Sequence, residues 1–341
     1  MKLSIIDQSP VPEGFTPADA LRNTIDLARH ADLLGYSRYW IAEHHAIAAL
    51  ASPAPEILIA RVAAETFGIR VGSGGILLPH YSPLKVAEIF RMLHALYPNR
   101  IDLGIGRAPG GSPLDSFALQ RHRTQSQPAD DFPNQMAELQ AFLNHDFPPQ
   151  HPFGQIQVTP AMPGGPEIWL LGSSMWSASA AAQLSLPYAF AHFIDPQPTR
   201  AALEHYKANF AAAGNGVTPQ AILALGAICA DSDAQAKRLM ASPILFRRRI
   251  RQGDLRPIPT PREAIQELGS IPGQMPRGAS EWPRYIVGTP EHVRSEFSDI
   301  ASVLGVDELM IVTVVHDHQA RVRSYELIAE AFNLAPRALP L

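Results

Sequence analysis

Ala42-Glu43-His44-His45 sets two adjacent imidazoles behind a carboxylate, directly after Tyr39-Trp40-Ile41, an apolar run too short for a helix. Histidine is the side chain whose ordinary pKa lies near neutrality, so a pair of them at a strand end can give and take protons. A hydrogen-bonded packing role accounts for the same pair equally well. Zinc is the poorer reading, because local spacing fixes no third ligand and His80, His94 and His192 are far apart in the chain. Two further groups point to an anion. Arg107 follows Gly104-Ile105-Gly106, where small residues admit a close backbone approach and a guanidinium offers a rigid fork of donors to phosphate oxygens. Gly172-Ser173-Ser174 stands where a helix should begin, and hydroxyls beside free helical N–H groups make a phosphate nest. A loop-shaping salt bridge for Arg107 and ordinary capping for one serine are the alternatives. Trp176 could pack at the same pocket, although tryptophan is more often a core residue. Asp7, Gln8 and Ser9 could line it or cap a turn.

The elements that must position these residues alternate. Leu3 to Asp7 reads as a buried strand, and Thr16-Pro17 opens a helix that ends before Gly35, with Thr16 as cap and Pro17 where a missing N–H costs nothing. Tyr39 to Ala42, Ile69 onward through Ser73-Gly74-Gly75, and Arg100 to Gly106 are the next three strands, separated by helices from Ser52-Pro53 to Thr66 and from Pro83 to Leu96. After a polar, proline-bearing stretch from Ala108 to Asp130 come a helix at Asn134 to Leu143 and a fifth strand at Glu167 to Leu171. Its helix runs from Ser173 to Leu184, a sixth strand spans Tyr188 to Ala191, and another helix is expected from Thr199 to Ala213. Ile222 to Ala230 is the seventh strand, Glu308 to Val314 the eighth, and Ala320 to Phe332 the closing helix. Eight strands alternating with helices predict a single α/β domain over residues 1–341, a (β/α)8 TIM barrel with a long insertion between strands seven and eight, at about residues 240–300. A connection of that length should contain helix or act as a lid. A doubly wound sheet is disfavoured, because its nucleotide-binding turn should follow the first strand, where Asp7-Gln8-Ser9-Pro10 stands instead. In a barrel the reactive-looking residues at the strand ends converge on one mouth.

Composition narrows the class. The 341 residues carry 28 Lys+Arg against 32 Asp+Glu, a formal charge of −4, and the basic residues are scattered apart from Arg247-Arg248-Arg249 and Arg251. Nucleic acid is therefore not an expected partner. The single cysteine, Cys229, excludes an internal disulfide framework and fits a reducing compartment. No stretch is long and apolar enough for a membrane span, and the opening Met1-Lys2-Leu3-Ser4-Ile5-Ile6-Asp7 meets an acid too early for a signal peptide, so a cytoplasmic protein is expected.

Ile41-Ala42-Glu43-His44-His45, Val71-Gly72-Ser73-Gly74, Pro98-Asn99-Arg100-Ile101-Asp102-Leu103-Gly104-Ile105-Gly106-Arg107 and Leu171-Gly172-Ser173-Ser174 resemble the bacterial luciferase-like flavin monooxygenases over essentially the whole chain. The resemblance implies a (β/α)8 barrel, a homodimer, and chemistry with reduced FMN and O2 on a small organic substrate. A separate NAD(P)H:FMN reductase could deliver the flavin. It makes His44 the catalytic, proton-handling residue, gives the flavin phosphate to Arg107, Gly172, Ser173 and Ser174, and runs Ser73 and Gly74 beneath the ring system near a non-proline cis peptide. His45 would support the loop or touch the flavin edge, and Glu43 would orient an imidazole or serve structure below the pocket. Two other readings stay open: hydride transfer with the deazaflavin F420, and flavin binding without turnover. No metal is implied.

Overall fold

The computed structural model describes residues 1–108, 111–119, 131–210, 218–273 and 280–338. The chain begins β1 (Lys2–Asp7), α1 (Pro17–Leu33), β2 (Arg38–Ile41), α2 (Pro55–Glu65), β3 (Arg70–Leu77), α3 (Pro83–Leu96) and β4 (Ile101–Gly106). It continues with α4 (Pro113–Leu119), α5 (Phe132–Asn144), β5 (Glu167–Gly172), α6 (Met175–Gln183), β6 (Tyr188–Ala191), α7 (Thr199–Asn209) and β7 (Ala221–Cys229). The last third holds α8 (Asp233–Arg251), α9 (Pro261–Leu268), β8 (Tyr285–Gly288), α10 (Pro290–Leu304), β9 (Glu308–Val312) and α11 (His318–Ala331).

All strand pairings are parallel, and they close a ring: β1 through β7 pair in sequence order, and β9 bridges β7 to β1. That is an eight-stranded (β/α)8 barrel. Local chemistry accounts for its units. Thr16 caps α1 by accepting from the Asp19 amide at 3.2 Å, Asp19 returns the contact to the Thr16 amide at 2.8 Å, and Gly35 at φ +91° ends the helix. The period-two alternation of each strand then sorts the core. Leu3, Ile5, Tyr39, Ile41, Leu309 and Ile311 face the helices in the outer core, while Ile6, Trp40, Met310 and Val312 face the barrel axis.

Three features differ from the sequence-based expectation. A helix, α4, occupies part of the polar, proline-bearing stretch for which the sequence pattern predicts no element, and the expected helix end at Ala213 lies outside the described residues. A ninth strand, β8, appears within 240–300, pairing with the C-terminal half of β7 from Gly226↔Tyr285 to Cys229↔Gly288. At four residues it is too short for its periodicity to be read in a proline-rich segment. Finally, α10 packs against both α7 and α11, the place of a ring helix. The residues outside the ring are thus α8, α9 and β8 rather than the whole of 240–300.

Candidate active site

Alternation puts Arg38, Trp40 and Ala42 in one inward row along β2, and the two ends of that row differ. At the N-terminal floor of the barrel, Arg38 is buried and donates to Asp102 at 2.9 Å, to Glu167 at 3.0 Å and to Glu308 at 3.0 Å. Ser4 donates to Glu308 at 2.5 Å, and Arg70 bonds Asp102 through Nε at 2.8 Å. Trp40 closes this layer from above: its Nε1 donates to Asp102 at 2.9 Å, and its ring meets Trp169 edge-on at 5.6 Å.

Above Trp40 the barrel opens into a cavity of about 680 Å³, a size suited to a cofactor with a substrate. Its walls are mostly apolar, including Ile6, Leu77, Leu171, Phe193 and Met310. Of the residues singled out from sequence, His44, Gly74, Arg107, Gly172, Ser173 and Ser174 all line it. So do Gln8 and Glu43. Ser73 does not: its hydroxyl points into the sheet and donates to the Gly104 carbonyl at 2.8 Å, so its contribution is to fix the strand behind Gly74. The Gly74-Gly75 peptide is cis, and the pairing of β3 with β4 shifts register between Ser73 and Ile76. A Cβ at Gly75 would sit 2.7 Å from the Gly104 carbonyl oxygen, so only glycine lets the backbone pass here.

His44 is carried on a loop sewn to the exit of β1. Its amide donates to Ser52 at 3.0 Å, Ala51 donates to Ser9 at 2.9 Å, and Val11 donates to Ala49 at 2.8 Å. The imidazole Nδ1 is buried without a hydrogen-bond partner. Burial, reinforced by the neighbouring His45, lowers the His44 pKa to about 4, so the ring is neutral at pH 7. Beneath it, Glu43 is buried and accepts three hydrogen bonds: from His45 Nε2 at 2.7 Å, from the Tyr81 hydroxyl at 2.9 Å and from the Leu77 amide at 3.0 Å. His45 is thereby turned to Glu43 and packs edge-on against His80.

At the rim, the Arg107 guanidinium stacks on the Trp176 ring at 4.1 Å, and Trp176 is 37% exposed rather than a core residue. Ser174 is the N-cap of α6, its Oγ accepting from the Ser177 amide at 3.4 Å. Gly172 is confined, since a Cβ there would meet Ser177 Oγ at 2.3 Å. Other candidates point elsewhere. Asp7 accepts from Arg321 at 2.6 Å and from the Ser9 amide at 2.7 Å; burial pushes its pKa up, but Arg321 with the Tyr39 and Ser9 hydrogen bonds holds it below the usual value. His192 bonds Thr199 at 2.8 Å and the Pro283 carbonyl at 3.0 Å, outside the cavity lining. Among the described residues no cluster of three His, Cys, Asp or Glu side chains could hold a metal ion.

A closed barrel, a deep cavity at its C-terminal mouth and a neutral histidine on the loop after β2 give the fold and a candidate site. The luciferase-like monooxygenase family model matches residues 1–308. The chain belongs to that family. It is similar to a luciferase-like monooxygenase of Escherichia coli K12, 38% identical with 95% of each chain covered. It is likewise similar to the N-acetyl-S-alkylcysteine monooxygenase of Bacillus subtilis, 34% identical over 99% of this chain and 100% of the relative. Apo-MsnO8, a solved structure, is 51% identical with a TM-score of 0.91, covering 98% of this chain and 99% of that one. The fold alone is shared with the oxygenating constituent of 3,6-diketocamphane monooxygenase in complex with FMN, at 21% identity and a TM-score of 0.71 over 99% of both chains. It is shared in the same way with an F420-dependent secondary alcohol dehydrogenase, at 13% identity and 0.67 over 97% of this chain and 98% of that one. Membership in this family makes the protein an enzyme. Among the described residues no helix is long and apolar enough to cross a membrane.

Proposed function

We propose that this luciferase-like enzyme takes reduced FMN and O2 and transfers one oxygen atom to a small organic substrate, with His44 as its catalytic proton-handling residue. The observation that carries the reading is the unpartnered, buried Nδ1 of His44 in an apolar cavity whose rim also presents a guanidinium. Bound reduced flavin supplies the electrons for oxygen activation. The residues of this chain suit that group. Arg107, Gly172, Ser173 and Ser174 gather donors for a phosphate at the start of α6, where the first amides of a helix lack intrahelical acceptors. Gly74 and Gly75 offer a flat stretch of backbone along the cavity, with Ser73 pinning the strand behind them.

His44, neutral at pH 7, accepts a proton at one ring nitrogen and donates from the other. It takes up and returns a proton at the reacting end of the cavity, while Phe193, Ile194 and Met310 help to keep bulk water out. Glu43 acts one layer below by holding His45, Tyr81 and the Leu77 amide, so that the loop bearing His44 keeps its place. The same reading makes the protein a cytoplasmic homodimer supplied with reduced flavin by a separate NAD(P)H:FMN reductase.

The test is anaerobic titration with reduced FMN and reduced F420, followed by admission of O2 and a search for oxygenated product across a substrate panel. Tighter binding of reduced FMN and O2 consumption stoichiometric with product are expected. Selective, tight binding of F420 would overturn the cofactor assignment, and FMN binding with no turnover anywhere in the panel would leave a binding protein.

A further inference from the structure

The only clustered basic residues of the chain, Arg247 to Arg251 on α8, take no part in the site described above. Arg249 is neutralised: it is buried, its Nη2 bonds Glu263 and Glu267 at 2.6 Å each, and its Nε, without a hydrogen bond, stands 3.8 Å from the Asp254 carboxylate. Arg247 and Arg251 stand one turn apart on the same face of α8, where like charges repel. A third guanidinium meets them. Arg284, just before β8, donates to the Phe193 carbonyl at 2.8 Å and also to that of Ile194, and Arg247 reaches the same Ile194 oxygen at 3.4 Å. Two full positive charges therefore share one neutral carbonyl.

Among the described residues no carboxylate lies within ion-pair distance of Arg247, Arg251 or Arg284. Asp195 is the acidic group near enough to be felt by both Arg247 and Arg284. The Nε of Arg247 is buried and has no hydrogen-bond partner. Burial, with Arg284 and Arg251 adding repulsion, lowers the Arg247 pKa to about 10. An under-neutralised arginine group with an open donor is built to receive an oxyanion.

Its position says which one. Phe193 and Ile194, whose carbonyls the arginines hold, also line the mouth of the main cavity, and Ile194 is 53% exposed at its rim. We propose that Arg247, Arg251 and Arg284 form a second anion site, which takes the carboxylate of an organic acid whose apolar body lies across Ile194 into the cavity. This deepens the reading of the cavity as an oxygenase site by giving its substrate an acid end. It assigns that acid to the α8 arginines, not to Arg107.

The full-length protein, without flavin, is titrated calorimetrically at low salt with octanoate, with octanol and with sodium acetate. Octanoate is expected to bind at least about ten-fold more tightly than octanol, the worth of one charge-assisted hydrogen bond pair. That preference should vanish in Arg247→Gln/Arg251→Gln and persist in Arg107→Gln. Acetate, lacking the apolar body, should bind measurably more weakly than octanoate. A preference for the acid that disappears in Arg107→Gln and survives in Arg247→Gln/Arg251→Gln would overturn the proposal, as would acetate binding as tightly as octanoate, which would disconnect the site from the cavity. Thermal stability gives an independent arm. A self-repelling cluster loses nothing when one charge goes, so Arg247→Gln should melt no lower than wild type, and octanoate should raise the melting temperature of wild type alone. A lower melting temperature for Arg247→Gln, with no octanoate effect on wild type, would make the arginines mere supports for the 193–194 backbone. None of these readouts uses flavin, so failure here and failure of the FMN titration are separate results.

Discussion

The two ends of the barrel hold buried ionisable groups in opposite ways. At the floor, Arg38 and Arg70 are surrounded by Asp102, Glu167 and Glu308, and each carboxylate is bonded. At the mouth, His44 keeps a buried nitrogen without a partner, and Arg107 stacks on a tryptophan beside an open cavity. The same strands supply both ends, and Trp40 separates them. A barrel must fill its axis with something, and a satisfied ion cluster does so with its valences spent. The His44 nitrogen left unsatisfied at the other end stores the capacity to bind and react. The floor should therefore answer to mutation in stability and the mouth in chemistry.

The largest effect should separate those readouts outright. His44→Asn should cut turnover by about 10²- to 10⁴-fold, the range for a lost acid-base group, with folding stability changed by no more than about 0.5 kcal/mol. Stopped-flow turnover and urea denaturation on the same preparation check it, and a large stability loss with intact turnover would erase the contrast. Arg38→Met should do the reverse. Leaving Glu308 buried without its cation, and Asp102 with Arg70 alone, should cost about 3–5 kcal/mol, read from the urea midpoint, while cofactor affinity in the folded fraction stays near wild type.

Acid should find the mouth before the floor. His44 and His192 both titrate near pH 4 in the folded chain, against an ordinary value of 6.5. Between those values the unfolded state binds more protons, so stability is full above pH 6.5 and falls as pH drops toward about 4, by up to about 1.4 kcal/mol per pH unit for each histidine. At the floor, burial raises the Glu167 pKa but Arg38 and Arg70 outweigh it and hold it below 4.5, so its contribution is lost only at lower pH. Urea curves from pH 7.5 to 4.5 measure the slope, and His44→Asn should lower it, leaving the parts due to His192 and to His318, which burial also holds below its ordinary value. The smallest effect expected is that of Ser174→Ala, about 1 kcal/mol of stability from the lost α6 cap. The same change should weaken reduced-flavin binding only a few-fold, and Arg107→Ala should weaken it more.

Much of this contrast was legible in the residues. Proline at helix starts, glycine at helix ends and short β-branched runs mark the units because each acts within a few residues. His44, Arg107 and Gly172-Ser173-Ser174 stood out because strand ends are where such a barrel keeps its chemistry. The rest depended on contacts between distant positions. Sequence leaves Glu43 to orient an imidazole or to serve structure below the pocket, and it is its bonds to His45 and to Leu77 and Tyr81, 34 and 38 residues on, that give it both tasks. Ser73 looks like a cofactor ligand and faces Gly104; Trp176, open in sequence between pocket and core, lies at the rim.

The sequence by itself determined the order of the eight ring strands and the residue types available at each strand end, since these follow from local sterics and short-range periodicity. Only the tertiary structure decided which of those groups are left without partners. Whether a buried histidine or arginine is satisfied depends on what other strands bring to within about 3 Å of it, and no local spacing encodes that distance.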